Sequence, residues 1–189
     1  MKAADYLRRY TSAVDSSIIT IDTNEYGVPE GVDKLVDFFI KWRAEGRKVF
    51  FIGNGGSSAI AIHMTADFMK NGGMKTVSLY DNAVITCFSN DYGYEYVFSK
   101  QIEKLMENQD ILVAISSSGN SMNIINAIES ASSIEATTIS FTGFSSNNKA
   151  RNGSGISIYV PSNEYGIVES IHNMILQAIV DMILEKDNQ

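Results

Sequence analysis

Residues 49–68 read VFFIGNGGSSAIAIHMTADF. The unbroken apolar run Val49 to Ile52 has the length and content of a buried strand. A glycine-rich turn, Gly53-Asn54-Gly55-Gly56-Ser57-Ser58, follows it and opens into a helix-like stretch. That stretch carries His63, one of two histidines in the chain, with Asp67 one turn further on. The same unit recurs downstream. Thr76–Leu79 precedes Asp81-Asn82, Ile111–Ile115 precedes SSSGNS, Thr137–Phe141 precedes Thr142-Gly143, and Ile156–Val160 precedes Pro161. Five short strands alternating with segments long enough for crossover helices predict an α/β fold, with a doubly wound five-stranded parallel sheet flanked by helices. Ligands of such sheets sit at the carboxyl ends of the strands, where these turns gather.

Outside the strands the chain reads as helix. Val32, Leu35, Val36, Phe39 and Ile40 recur at helical spacing, so residues 1–45 are expected to be an N-terminal helical extension. Residues 46–189 are then the α/β core of a single domain spanning 1–189. Glu164 to Glu185 reads as an apolar closing helix. The Asn/Ser/Gly stretch 145–155 is expected to be a mobile surface loop, Asp91-Tyr92-Gly93-Tyr94 to begin a helix that seals the pocket or a subunit contact, and Cys87 to be a buried small hydrophobe.

At 189 residues, with 44% hydrophobic and 20% charged residues, the chain can bury a sizeable core. Its formal charge of −7 argues against a nucleic-acid or anionic-membrane surface, because phosphate backbones demand Lys and Arg. A small phosphorylated ligand is still compatible, since backbone N–H groups hold phosphate without many cations. The lone Cys87 excludes an intramolecular disulfide framework. No apolar run approaches the length of a bilayer span, and Met1-Lys2-Ala3-Ala4-Asp5 begins no signal-type segment. The expectation is a soluble, cytoplasmic protein.

Two loops carry the chemistry. Gly53–Ser58 can direct successive N–H groups at one anion from a helix start, although alone it reads equally as a plain strand-to-helix turn. Ser116-Ser117-Ser118-Gly119-Asn120-Ser121 is more specific. An ordinary N-cap explains one serine, not four, and the helix expected from Met122 to Ala131 adds partial positive charge. Neither loop holds Lys or Arg, which favours a sugar monophosphate over a nucleoside triphosphate.

With both loops in place, the chain resembles the SIS (sugar isomerase) domain family. The resemblance rests on Gly53-Asn54-Gly55-Gly56-Ser57 ahead of His63, Asn90-Asp91, Ile115 to Ser121, and strands ending in Thr142-Gly143. More narrowly it is similar to the phosphoheptose isomerases, which interconvert sedoheptulose 7-phosphate and a manno-heptose 7-phosphate for heptose synthesis. The resemblance implies a homotetramer with sites at subunit interfaces and a metal-assisted aldose–ketose isomerisation. Ser116, Ser117, Ser118 and Ser121 would grip the phosphate, while Asn54, Gly55, Gly56, Asn90 and Asp91 line the sugar. His63, Asp67, Glu169 and Gln177 fall where the family holds a divalent ion such as zinc.

The chain departs from the family at three of those four positions. Asp67 stands where the family has Glu, Glu169 where it has Gln, and Gln177 where it has His. Moving a proton between adjacent carbons needs a titratable group. The expectation is that Glu169 has become the base, with Asp67 a ligand or second carboxylate. On spacing alone, His63 and Asp67 at i, i+4 are more often an ordinary helix-surface pair than metal ligands. His172 reads as a packing residue. The alternative function is a non-catalytic SIS protein, acting as a tetrameric scaffold or a sugar-phosphate sensor. A nicotinamide dehydrogenase or a serine hydrolase fits poorly, because neither GxGxxG nor GxSxG occurs.

Overall fold

Each of the five apolar runs lies on a strand in the computed structural model, which describes residues 2–188. These strands are β3 (Lys48–Gly53), β4 (Lys75–Val77), β5 (Ile111–Ser116), β6 (Thr137–Thr142) and β7 (Ile156–Tyr159). They run parallel in the order β4-β3-β5-β6-β7. Alternate strand residues serve opposite faces. Val49, Phe51, Ile111, Val113 and Ile115 join one apolar cluster, while Phe50, Ile52, Leu112 and Ala114 join the other. That two-sided burial is why these strands read as continuous apolar runs.

The sheet has seven strands, not five, and residues 1–45 are not helical throughout. Helix α1 (Ala3–Asp15) is followed by a hairpin, β1 (Ile18–Ile21) and β2 (Asn24–Tyr26), before helix α2 (Val28–Ala44). β1 adds to the β7 edge in antiparallel register, with Ile19 opposite Ile158. Its β-branched run Ile18-Ile19-Thr20-Ile21 suits a pleated, half-buried surface, and Asp22 makes the turn at a φ of 56°. The helical period of residues 32–40 belongs to α2 alone and does not reach back across this hairpin.

α1, α2, α3 (Gly56–Lys70) and α8 (Tyr165–Asp187) cover one face. The other is covered by α5 (Ser99–Leu105), α6 (Met122–Ser133) and α7 (Lys149–Gly153), with partly buried residues of α4 (Asn82–Tyr92) packed against them. The 23 residues of α8 are long and apolar enough to cross a membrane by length and composition, contrary to the expectation that no run would be. Nine of them, from Ile167 to Ile183, are buried in the fold, which accounts for the apolarity.

Three local expectations are also corrected. Residues 145–155 contain α7, and Asn148, 1% exposed, caps it by accepting from the Arg151 N–H. Asp91 and Tyr92 end α4 rather than begin a helix, because Gly93 at a φ of 92° breaks it before a short 3-10 turn over Tyr94–Tyr96. Cys87 is exposed on α4, where its Sγ lies 3.6 Å from Asp91 Oδ2.

Candidate functional site

From β3 the chain crosses to β4 on one side and then returns to β5 on the other. The crevice outside the carboxyl ends of β3 and β5 is therefore the switch point of the sheet. The glycine turn after β3 and the serine loop after β5 meet there around a chamber of about 130 Å³. Asn54 and Ser57 line it from the first loop, and Ser116, Ser117, Ser118 and Ser121 from the second. Tyr165 and Glu169 of α8 complete the wall. Among the described residues no Lys or Arg lines this chamber.

The serine loop is shaped both by its neighbours and by its own side chains. The Gly143 N–H donates to the Ser117 carbonyl at 2.9 Å, and the Ala150 N–H donates to the Gly119 carbonyl at 2.9 Å. Gly119 sits at a φ of 63°, and a Cβ there would lie 2.0 Å from Asn148 Oδ1, so this turn requires glycine. The Ser116 hydroxyl accepts from the Gly119 N–H at 3.2 Å. Ser118 Oγ accepts from the Asn120 N–H at 3.3 Å. Ser117, 4% exposed, has a buried hydroxyl with no partner. Ser121 begins α6 without using its side chain as a cap, whereas Asp81 caps α4 by accepting from Val84. A buried hydroxyl without a partner is rare, and here it lines a chamber at a helix N-terminus. Neutral hydroxyls and the N–H end of a helix suit a phosphate monoester.

Glu169 approaches this cradle from α8. Its carboxylate lies over the first turn of α3, so close that a Cβ on Gly56 would fall 2.4 Å from Oε2. Burial raises the Glu169 carboxyl above the usual range for glutamate. Tyr165, one turn earlier, packs edge-on against Phe144 with ring centroids 4.8 Å apart. His172, one turn later, is fully buried. Its Nε2 lies 3.1 Å from the Thr142 carbonyl oxygen and its ring packs edge-on against Phe141. Burial pulls it down to about 4, so it stays neutral at physiological pH and packs α8 onto the end of β6.

The other expected residues do not join Glu169. His63 and Asp67 pair with each other at 3.3 Å on α3, with the His63 side chain 54% exposed. Gln177 donates to Asp181 at 3.2 Å further down α8. Among the described residues no three His, Cys, Asp or Glu side chains cluster as a metal site. The helix geometry explains this. Glu169 stands at Gly56, whereas His63 is seven residues along α3, about 10 Å further down the axis. Asn90 and Asp91 hydrogen-bond to each other at 2.8 Å on the exposed end of α4 and do not line the chamber. Two further residues meet at Asn54. Asn123 exchanges amide hydrogen bonds with Asn54, and Tyr94 donates to Asn54. Asn123 lies two residues past the serine loop and carried no expectation, whereas Tyr94, 40 residues from Asn54, falls in the segment expected to seal the pocket or a subunit contact.

Against known proteins, the family model of the SIS domain matches residues 9–143. The phosphoheptose isomerase of Shewanella denitrificans is 34% identical over 186 residues, covering 94% of each chain. A solved phosphoheptose isomerase from Francisella tularensis superposes with a TM-score of 0.82 at 26% identity, covering 98% of this chain and all of that one. One from Neisseria gonorrhoeae superposes with a TM-score of 0.80 at 28% identity, covering 95% and 93%. The match of the SIS model to residues 9–143, the 34% identity over 94% of the chain and the superposition on solved phosphoheptose isomerases make this chain a member of the SIS domain family and a homologue of the phosphoheptose isomerases.

Proposed function

We propose that the protein is a sugar-phosphate aldose–ketose isomerase, with sedoheptulose 7-phosphate and D-glycero-D-manno-heptose 7-phosphate as its pair. The observation that carries this reading is Glu169, a carboxylate of raised pKa that shares one chamber with the serine cradle. The cradle holds the ester phosphate. The Glu169 carboxylate removes the proton from the carbon next to the carbonyl, the electron pair moves onto the carbonyl oxygen, and the resulting enediolate passes the proton of the neighbouring hydroxyl to that oxygen. The same carboxyl returns the proton to the neighbouring carbon, so the carbonyl and the hydroxyl exchange places with no net redox change. A carboxyl raised toward neutrality is a stronger base than an ordinary glutamate and a competent donor on the return.

A divalent ion such as zinc would polarise the carbonyl oxygen. The donors of a single chain do not fit such an ion beside Glu169, because His63 and Asp67 form a separate pair on α3. No step above depends on it. As part of the same proposal the protein is a cytoplasmic homotetramer, in which neighbouring protomers bring His63, Asp67, Asn90 and Asp91 toward the chamber. Ile62, 49% exposed, and Met69, 55% exposed, flank His63 and Asp67 on α3 and support a face covered by another protomer. The second reading, a sugar-phosphate sensor or scaffold, is favoured by one observation: Glu169 is the only carboxylate among the described residues lining the chamber.

The test is incubation with sedoheptulose 7-phosphate in deuterated water, with and without Zn²⁺, following aldose formation and deuterium uptake by NMR. Glu169→Gln abolishes both while leaving sugar-phosphate affinity in place. In the wild type, the acid limb of kcat/KM lies above the 4.5 of an ordinary glutamate. Full turnover in the Gln variant eliminates Glu169 as the base, and binding without deuterium uptake in the wild type leaves the sensor.

A further inference from the structure

The two loops of the chamber are bolted together across the switch point by a pair of side-chain amides. Asn54 Nδ2 donates to Asn123 Oδ1 at 2.9 Å, and Asn123 Nδ2 donates back to Asn54 Oδ1 at 2.9 Å. The Tyr94 hydroxyl donates to the same Asn54 oxygen at 2.8 Å. Asn123 is 3% exposed, second in α6, and cannot easily turn away. An amide side chain has two N–H donors and one oxygen with two acceptor positions. In Asn54 both acceptor positions and one N–H are therefore spent within the protein. One N–H is left over, on a side chain that lines the chamber.

We propose that Asn123 and Tyr94 are positioning residues, which lock the Asn54 amide so that it meets a bound sugar phosphate as an N–H donor and not as an acceptor. Left free, an asparagine amide can turn either end toward a ligand. Held on three hydrogen bonds, it offers one fixed donor to a sugar oxygen beyond the phosphate, which the serines already hold. A fixed donor is worth most where the facing oxygen gains negative charge, as the carbonyl oxygen does on the way to an enediol. Tyr94 reaches this point from the turn at Gly93, so the connection between α4 and α5 takes part in holding the site. The inference rests on the isomerase reading for the identity of the sugar and for the rate effect, while the locking of the amide stands on the hydrogen bonds alone.

The experiment compares wild type, Asn54→Ala, Asn123→Ala, the double variant and Tyr94→Phe. It measures kcat/KM for sedoheptulose 7-phosphate, together with calorimetric affinities for that sugar phosphate and for inorganic phosphate. Asn123→Ala is expected to lose about tenfold in kcat/KM and to keep its affinity for inorganic phosphate within about twofold. The double variant should be no worse than Asn54→Ala, because Asn123 acts through Asn54. Tyr94→Phe, which removes a hydroxyl from an exposed side chain and leaves the core untouched, should lose about threefold on the same split. Multiplying losses in the double variant, or a parallel fall in inorganic-phosphate affinity, overturns the proposal in favour of simple loop support. If the wild type does not turn the sugar over, the isomerase reading fails by itself, and the cycle is read on binding: sugar-phosphate affinity should fall while inorganic-phosphate affinity holds. A wild type that binds neither ligand overturns both.

Discussion

Gly56→Ala offers the sharpest test of where the base stands. Gly56 opens α3 without a positive φ, so alanine is compatible with its backbone and helps the helix by up to about 1 kcal/mol. The added Cβ would, however, sit 2.4 Å from Glu169 Oε2, where ordinary contacts begin at 3.4 Å. The carboxylate must therefore retreat by about 1 Å, and a misplacement of that size costs about a hundredfold in rate. The retreat is cheap in stability because a flexible side-chain end moves, and the cradle residues are untouched. The expected result is a fall of about a hundredfold in kcat for sedoheptulose 7-phosphate. Melting temperature should be unchanged or slightly raised, and affinity for inorganic phosphate should hold within about twofold. Adding Glu169→Gln should cost no more than Glu169→Gln alone, since both changes act on one group. A Gly56→Ala protein with wild-type kcat would show that the carboxylate is not the proton carrier. A loss confined to phosphate affinity would show that the glycine turn binds the ester.

Two further outcomes follow from the same geometry. Ser117→Ala removes a buried hydroxyl that has no protein partner, so unliganded stability should not fall in chemical denaturation. Its phosphate affinity by calorimetry should drop about tenfold, the worth of one hydrogen bond to a charged group at about 1.5 kcal/mol. His172 reports on stability against pH. Its folded pKa of about 4 lies below the ordinary 6.5, so the unfolded chain takes up a proton that the folded one refuses. The stability contributed by the neutral imidazole is present above pH 6.5 and is lost as pH falls toward 4. The gap of about 2.5 units corresponds to about 3 kcal/mol. His172→Gln should flatten that part of the urea-denaturation profile, and an unchanged acid slope would place the proton uptake elsewhere.

How far the sequence carried the fold depended on whether the signal was local. Val49–Ile52 and Ile111–Ile115 are strands because both faces of a parallel strand are buried, and an uninterrupted apolar run is the trace that burial leaves. The glycine and serine turns are equally local, whereas the strand order β4-β3-β5-β6-β7 is set by pairing between distant segments and is not written in the alternation. The hairpin at Ile18–Tyr26 was missed because a four-residue apolar run beside a strong helical period has little length with which to compete. α7 was hidden in a polar stretch whose order comes from Asn148, buried against the serine loop by residues distant in sequence.

By itself, then, the sequence determined the alternation of strands and helices, the place of the glycine and serine loops, and the presence of a carboxylate at position 169, since each is written in consecutive residues or in a family pattern. Only the tertiary structure decided which side chains share the chamber. It seated Glu169 against Gly56 and left His63 about two helical turns away on α3 and Asp67 about three. It also brought Tyr94 and Asn123 to Asn54. The physical reason is that spacing along one helix fixes which residues share a face, whereas the level at which two helices meet is set by packing over the whole sheet. No single stretch of the chain records that level.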